Sequence, residues 1–531
     1  MTGTTEGGAQ TIPAVLYDAA EQFGDLEAVV DGAERVSFAG LAVAVTEVAR
    51  ALIASGVEPG DRVAIWAPNS LDWIVISFAI YASGAILVPL NTRFKGAEAG
   101  HVLRTAEVRL LFTVTDFLGT DYVRMLDDVA GLDALTEIVV MHGSAPPGTT
   151  PWGSFAGRAK TVPVESVDRR RAAVGPEDTC DVIFTSGTTG APKGAMLTHG
   201  ASVRTYVEWA DLVGLRRGDR YLVVYPFFHT AGLKSGVLAS VLTGSTVVPH
   251  AVFDVASLAE RVREESITML PGPPAVFQSM LNDPETRFHD LATLRLAVTG
   301  AASVPVELIR RMREELPFET IVTGYGLTET TGTVTMCRHD DPPEVIALTV
   351  GRPLPGIELR IVDDDDIDVA GGEAGEVLVR GFNVMKGYFN DPAATGQAID
   401  ADGWLRTGDV GLVDAGGNLH ITDRKKDMFI VGGFNAYPAE IEGIILGRGD
   451  VAQVAVVGVP DERMGEVGWA FVVPRAGQVI DVDEFLAWCR DRMANFKVPR
   501  RVEVVESLPL NPSGKVMKFQ LRDQAAGRLH E

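Results

Sequence analysis

The densest concentration of chemistry-bearing residues is the run TSGTTGAPKG, residues 185–194, which follows the apolar stretch CDVIF. Thr185, Ser186, Thr188 and Thr189 supply hydroxyls, Gly187 and Gly190 backbone freedom, and Lys193 a cation. Such a loop can aim backbone N–H groups, hydroxyls and an ammonium at phosphate oxygens, because glycine adopts the backbone angles of an anion nest. It is not a Walker loop, which needs Gly-Lys-Ser/Thr in sequence, since Pro192 precedes Lys193 and Gly194 follows it. Chemistry at a γ-phosphate is therefore not implied, and a flexible turn is the competing reading. A second run, GYGLTE at 324–329, fails the GxGxxG dinucleotide fingerprint because Glu329 stands where the last glycine is required. It offers instead an aromatic face suited to a purine, Tyr325, and a carboxylate suited to a hard cation that keeps most of its waters. Taken alone, Glu329 reads as an ordinary surface acid.

These runs do not stand alone. With GAAS (300–303), GWLRTGD (403–409), ITDRKKDMFIVGGFNAYPAEIE (421–442) and NPSGK (511–515) they occur in an order spanning nearly the whole chain. In that order the sequence resembles the adenylate-forming superfamily of acyl-CoA synthetases, firefly-type luciferases and peptide-synthetase adenylation domains. The resemblance implies an ATP-dependent ligase that makes an acyl-adenylate and passes the acyl group to coenzyme A, releasing AMP and diphosphate. It implies that Tyr325 lies against adenine within the Gly324 and Gly326 turn, that Gly300, Ala301 and Ala302 line the base, and that Thr328 and Glu329 approach the α-phosphate and Mg²⁺. Asp409 matches the carboxylate that takes both ribose hydroxyls, a task suited to an ionised, acceptor-only group. Arg424 resembles the arginine reaching ribose or phosphate. Without the family, Asp409 reads as a turn residue after Thr-Gly.

Adenylation brings a carboxylate against an anionic phosphate, so a cation is required between them. Lys515 of NPSGK matches the family's bridging lysine; a lone lysine there otherwise reads as a solvated tail residue. Thiol attack needs that position vacated, and the resemblance implies rotation of a small C-terminal domain about Lys426 of DRKKD, after which Gly432, Gly433 and Phe434 line the pantetheine tunnel. The run YPFFHTAGLKSG, 225–236, matches the acyl-pocket region, with Phe228, His229, Lys234 and Gly326 as pocket residues and His229 as a gate or as a base for the thiol. Read by itself, His229 is equally well a satisfied core histidine. The family's amino-acid-activating members place an aspartate in this region, and FHTAGL has none, which argues against an amino acid substrate. An inward Lys234 is positioned to contact a keto or carboxyl oxygen. PFFH, LPGPP, AVTGAASVP and TMCR further resemble actinobacterial synthetases acting on cyclic, steroid-derived propanoates; a medium- or long-chain fatty acid is the other expectation.

The elements that must position these residues are legible in the texture of the chain. From about Tyr17 to Pro353, apolar helical stretches alternate with short β-rich runs (DRVAIWAP, DVIFTSG, RYLVVYP, ITMLPGPP, LRLAVTG), mostly followed by glycine, which is the α/β pattern with loops at the carboxyl ends of buried strands. From Gly356 to Leu419 the strand-like pieces IELRIVD, GEVLVRG and NLHITD are separated by acidic and glycine turns, and Asp363–Asp366 reads as a hairpin turn rather than a metal site. Beyond DRKKD come MFIVGG, a helix opened by Pro438, the strand VAQVAVVGVP, the acidic-started helix DVDEFLAWCRDRM and the strand RRVEVVESLP. The expected fold is α/β: a large N-terminal domain, 1–425, of two α/β subdomains plus a β-rich subdomain, and a small mobile α+β domain, 427–531.

With 531 residues, 46% hydrophobic and 22% charged, the chain has the composition of a soluble globular enzyme of more than one domain. A formal charge of −24 repels nucleic acid and anionic lipid surfaces, so any phosphate site must be built locally. Cys180, Cys337 and Cys489 form neither a disulfide framework nor a CxxC metal site. No secretory signal is readable, and a cytoplasmic location is expected, with a homodimer as one option. The apolar run Trp73–Leu90 is interrupted by Ser77, Ser83, Gly84 and Pro89 and reads as a core helix, a turn and a core strand rather than a membrane span. GxSxG and HExxH do not occur. Two other functions compete: an adenylate-forming enzyme with another acceptor, such as a carrier-protein thiol or oxygen, and a phosphoryl-transfer ATPase using Lys193. Release of AMP and diphosphate rather than ADP and phosphate separates the last of these.

Overall fold

In the computed structural model the apolar runs become the central strands of two mostly parallel sheets. The model describes residues 9–185, 192–252, 254–272, 274–282, 291–300, 304, 306–424, 427–431, 434–461, 464–493, 495–510 and 516–529. The first sheet has seven strands in the order Thr150–Pro151, Glu137–His142, Leu110–Val114, Arg62–Trp66, Ile86–Pro89, Thr179–Thr185, Lys193–Thr198, parallel except for the last pair. The second has nine, with Thr320–Tyr325, Leu296–Gly300, Met269–Pro271, Arg220–Val223, Thr246–Pro249 and Glu27–Asp31 as its parallel centre. Strands buried on both faces need apolar residues at every position, which is why they are continuous in the sequence rather than alternating. A four-stranded antiparallel sheet, Ile357–Val362, Gly375–Gly381, Leu405–Val413 and Leu419–Arg424, follows. The acidic tetrad lies in the connection after its first strand, where Asp363 Oδ1 accepts the amides of Asp365 and Ile367.

One continuous core runs from Ile12 to Leu419 and is shared by these three sheets. Val362, Leu378 and Trp404 form a small separate cluster on the four-stranded sheet, and two further clusters cover the two faces of another sheet, whose centre is the hairpin Val451–Asp461 and Gly465–Pro474. Phe429–Val431 pairs antiparallel and Arg501–Val504 parallel to its second strand. Pro438 opens the helix Pro438–Leu446, and Asp481 caps Val482–Arg492 by accepting the amide of Glu484.

The run Trp73–Leu90 is the helix Leu71–Ala82, a turn at Gly84 (φ 78°) and the strand Ile86–Pro89. Every residue of that helix from Trp73 on is buried, so it is apolar all round because it is enclosed by protein. Among the described residues no helix is long and apolar enough to cross a membrane.

Against this helix lies His199, 2% exposed, the first residue of the helix His199–Val213. Its Nδ1 accepts the amide of Ile12 (3.4 Å) and its ring meets Tyr81 edge-on at 5.7 Å. Burial first, and the nearby Lys234 ammonium second, push its pKa down to about 3. The unfolded chain, with a histidine near pH 6.5, then binds the extra proton first on acidification. The stability His199 contributes is thus present above pH 6.5 and lost as pH falls from about 6.5 toward 3, at no more than about 1.4 kcal/mol per unit. Urea denaturation between pH 6.5 and 4.5 is expected to give a shallower pH slope for His199→Asn than for the parent; equal slopes would rule this out.

Candidate active site

The strands Thr179–Thr185 and Lys193–Thr198 are antiparallel neighbours, with Thr185 opposite Lys193, so the two ends of the run expected to bind phosphate are paired with each other. Of the expected phosphate and base contacts, Ser186, Gly187, Thr188, Thr189, Gly190, Ala301 and Ala302 lie outside the described residues, as do Lys426, Gly432, Gly433 and Lys515 and the side chains of Arg424 and Phe434. The hairpin's second strand is held by the segment 386–389: the amides of Lys386 and Phe389 donate to Met196 and Gly194, and that of Met196 to Gly387.

Facing the hairpin is the turn after the strand Thr320–Tyr325. That strand pairs in register with Leu296–Gly300, setting Gly300 beside Gly324. Thr328–Thr330 makes one 3₁₀ turn, closed by the Leu327 amide donating to Thr330 Oγ1 (2.9 Å). Asn383 donates from Nδ2 to the carbonyls of Thr330 and Thr333, and the Met385 amide to that of Glu329 (2.8 Å), so the turn is fixed from outside. Gly326 is required here, since a Cβ would stand 2.3 Å from the Gly332 carbonyl oxygen. Gly332 takes φ 94° and a Cβ on it would meet Tyr206 and Thr230, which makes this a close-walled surface.

Two sets of side chains meet beside this turn. Glu329 Oε1 accepts from Thr185 Oγ1 (3.3 Å) and from Tyr388 Oη (3.0 Å), while Lys193 Nζ lies 5.2 Å from the centre of the Tyr388 ring. Tyr325 Oη donates to Asp409 Oδ2 (2.6 Å). Asp409 is 3% exposed and sits within the strand Leu405–Val413 opposite Arg424, so it is a strand residue and not the turn residue that Thr-Gly-Asp suggests in isolation. Residues from separate stretches of the sequence thus meet in two hydrogen-bonded groups, Thr185–Glu329–Tyr388 and Tyr325–Asp409, with Lys193 against the Tyr388 ring.

Tyr388 was not marked by any spacing rule. A lone tyrosine in KGYFND has no periodic or motif signal, and only its bond to Glu329 gives it a part. Burial first, then the Glu329 charge, raise its pKa, so it stays a hydrogen-bond donor at neutral pH. Tyr388→Phe is expected to lower kcat/KM for ATP about ten- to a hundredfold, the worth of one hydrogen bond to a carboxylate, with little effect on the acid's KM. An unchanged kcat/KM for ATP would remove Tyr388 from the site.

His229 has an exposed ring, yet enough protein surrounds it that desolvation lowers its pKa and favours the neutral imidazole. The buried Phe228 ring is its neighbour at 6.1 Å. Lys234 is placed differently from the inward-pointing pocket lysine expected from sequence. It is 1% exposed and its Nζ lies 2.5 Å from Asp181 Oδ2, itself fully buried. An ammonium without water keeps its charge by finding a carboxylate, and Asp181, invisible as a partner in the sequence, supplies it. The expected contact with a substrate oxygen is therefore corrected to an ion pair in the core.

The sequence matches the model of the AMP-binding enzyme family over residues 16–389 and that of the AMP-binding enzyme C-terminal domain over 440–515. The chain belongs to the AMP-binding enzyme family. It is 48% identical to the 3-[(3aS,4S,7aS)-7a-methyl-1,5-dioxo-octahydro-1H-inden-4-yl]propanoyl:CoA ligase of Rhodococcus jostii, covering 97% of this chain and 98% of that one. The ligase of the same name from Mycobacterium tuberculosis is 47% identical, with 97% and 99% covered. Among solved structures, the anthranilate CoA ligase AuaEII in complex with anthranoyl-AMP superposes with a TM-score of 0.89 at 26% identity, over 100% of both chains. Within this family the chain is an acid–thiol ligase that forms acyl-CoA through an acyl-adenylate, with ATP and CoA as its other substrates. That agrees with the reaction expected from sequence.

Proposed function

We propose that the acid activated is ring-bearing, a bicyclic keto propanoate first among candidates. The observation that carries this is the 48% and 47% identity, over 97% of the chain, to two ligases named for such an acid. Relatives at 38% and 39% are named for feruloyl-CoA and indoleacetate, both also ring-bearing. The Gly332, Tyr206 and Thr230 wall supports the same reading, because backbone packed against an aromatic offers a rigid face to a rigid ligand. A fatty acid is the second reading, favoured by relatives at 32% named as medium-chain acyl-CoA ligases.

In this proposal Tyr325, Gly300, Ala301 and Ala302 take the adenine, and Asp409 and Arg424 the ribose hydroxyls. Lys193 and the 185–190 hydroxyls and amides hold the outgoing diphosphate; Thr328 and Lys515 face the α-phosphate. The carboxylate oxygen of the acid attacks that phosphorus, the bond to the bridging oxygen of diphosphate breaks, and Lys515 offsets the charge that collects between the two anions. His229 walls the acid pocket with Phe228 and Gly326, and as a neutral imidazole accepts the CoA thiol proton. Glu329, with Thr185 and Tyr388 hydroxyls at one oxygen, fits Mg²⁺, a hard ion satisfied by one protein carboxylate plus phosphate and water oxygens. When bound, that ion neutralises phosphate charge. Lys426 divides a domain ending at 425 from one beginning at 427, and Gly432, Gly433 and Phe434 border the pantetheine. A cytoplasmic location and a homodimer complete the proposal, the latter read by light scattering.

A panel of fatty, aromatic and bicyclic keto acids, assayed with ATP, Mg²⁺ and CoA for diphosphate release, tests it. The bicyclic propanoate is expected to exceed octanoate in kcat/KM by about a hundredfold or more. Preference for octanoate would overturn the substrate assignment, and ADP with phosphate as products would overturn the residue roles at the α-phosphate.

A further inference from the structure

The ion pair between Lys234 and Asp181 joins two segments that flank the reacting groups. Asp181 lies on Thr179–Thr185, the strand that launches the phosphate loop, four residues before Thr185 and its bond to Glu329. Lys234 lies on Ala231–Leu238, a π-helical turn in which the Ala239 amide reaches back to the Lys234 carbonyl and the Leu233 amide to that of His229. Added Cβ atoms on Gly232 and Gly236 would stand 2.2 Å from the Pro226 carbonyl oxygen and 2.6 Å from Val223, so this helix sits hard against the end of the strand Arg220–Val223. Lys234, midway between the two glycines, is about half a turn away and faces the other sheet.

The carboxylate there is fully served. Tyr81 Oη, from the helix Leu71–Ala82, donates to Asp181 Oδ1 (2.6 Å), and Cys180 Sγ and Lys234 Nζ both approach Oδ2, at 2.9 and 2.5 Å. Lys234 Nζ also lies 3.8 Å from Cys180 Sγ and 5.3 Å from the centre of the Tyr81 ring. A hydrophobic pair would fill this space at similar stability, since the desolvation of two charges offsets much of their attraction. What the charged pair adds is a fixed direction between a helix and a strand of different sheets.

We propose that Lys234 and Asp181 are positioning residues for adenylation, clamping the helix that follows His229 to the strand of the phosphate loop and so fixing the acid's approach to the α-phosphate. The proposal rests on the acid lying beside His229. Neither side chain touches substrate. Their effect is on alignment, and a displacement of about 1 Å at reacting atoms can cost a hundredfold in rate.

The test uses the full chain and its best acid from the panel, comparing Lys234→Met, Asp181→Leu, the double variant Lys234→Met/Asp181→Leu, and Tyr81→Phe. Three quantities are read: urea stability, equilibrium Kd for ATP and acid, and the single-turnover rate of acyl-adenylate formation without CoA. The single charge removals are expected to be the least stable, and the double variant to regain most of that loss while remaining about ten- to a hundredfold slow in single turnover, with both Kd values within about threefold of the parent. Tyr81→Phe keeps the charges and the fold, and is expected to be about fivefold slow at unchanged Kd. A double variant at parental rate, or a Tyr81→Phe rate within about twofold of the parent should the others not accumulate, would show a purely structural pair and overturn the proposal. A parent that forms no adenylate from any acid would instead reject the functional reading, a separate outcome.

Discussion

Lys515→Ala is expected to slow acyl-adenylate formation from acid and ATP about a thousandfold, while supplied acyl-adenylate is still converted to thioester. The expectation follows from charge. The chain carries a formal −24, and in the proposed site Glu329 and Asp409 add to the charge of the phosphates and the substrate carboxylate. Lys193 is tied to the hairpin end opposite Thr185 and lies over Tyr388; in our proposal it holds the outgoing diphosphate, so it does not replace a cation between the carboxylate and the α-phosphorus. Thioester formation has no such need, because its nucleophile is a thiol and its leaving group is AMP. Diphosphate exchange reads the first half-reaction, and chromatography of product from synthetic acyl-adenylate and CoA reads the second. Equal losses in both would show that Lys515 acts only on folding or domain position.

How much of this could be read from the sequence depended on whether a residue's setting is local. The parallel strands were legible because double burial leaves no room for polar alternation, and the buried helix Leu71–Ala82 because its serines and the glycine after it divide the apolar run. The strand Gly465–Pro474 was not singled out, although it is the centre of the C-terminal sheet: its glycines and glutamate resemble a loop until its long hairpin partner is known. Tyr325, Glu329 and Asp409 came from the family resemblance, and the structure adds that Asp409 is a buried strand residue bonded to Tyr325. Lys234 was misplaced for a physical reason. The direction of a helical side chain depends on the turn that carries it, and a π-helical turn at Ala231–Leu238 has no sequence signature comparable to a cap or a heptad. Its partner Asp181, ahead of the phosphate loop in CDVIF, would pass as a strand-edge acid, and a charge buried there is meaningful only once the opposite charge is seen across the two sheets.

The second large effect concerns the link between the parts. Lys426→Pro is expected to leave adenylation within about threefold of the parent and to reduce thioester formation a hundredfold or more. The large core ends at Leu419 and the clusters from Phe429 on are separate from it, and the strand Leu419–Arg424 remains laddered to Leu405–Val413 up to Arg424 opposite Asp409. On the far side, Asp427 is held by Arg522 of the C-terminal helix Lys518–Leu529. The rotation we propose between the halves is then assigned to the few backbone angles between 424 and 427. Proline fixes φ near −65° at its own position and biases the preceding residue toward extended geometry, so one orientation is retained and the other lost. In our proposal adenylation uses only the orientation that brings Lys515 to the phosphorus. Burst formation of acyl-adenylate with and without CoA separates the steps, and thioester production at the parental rate would move the pivot away from residue 426.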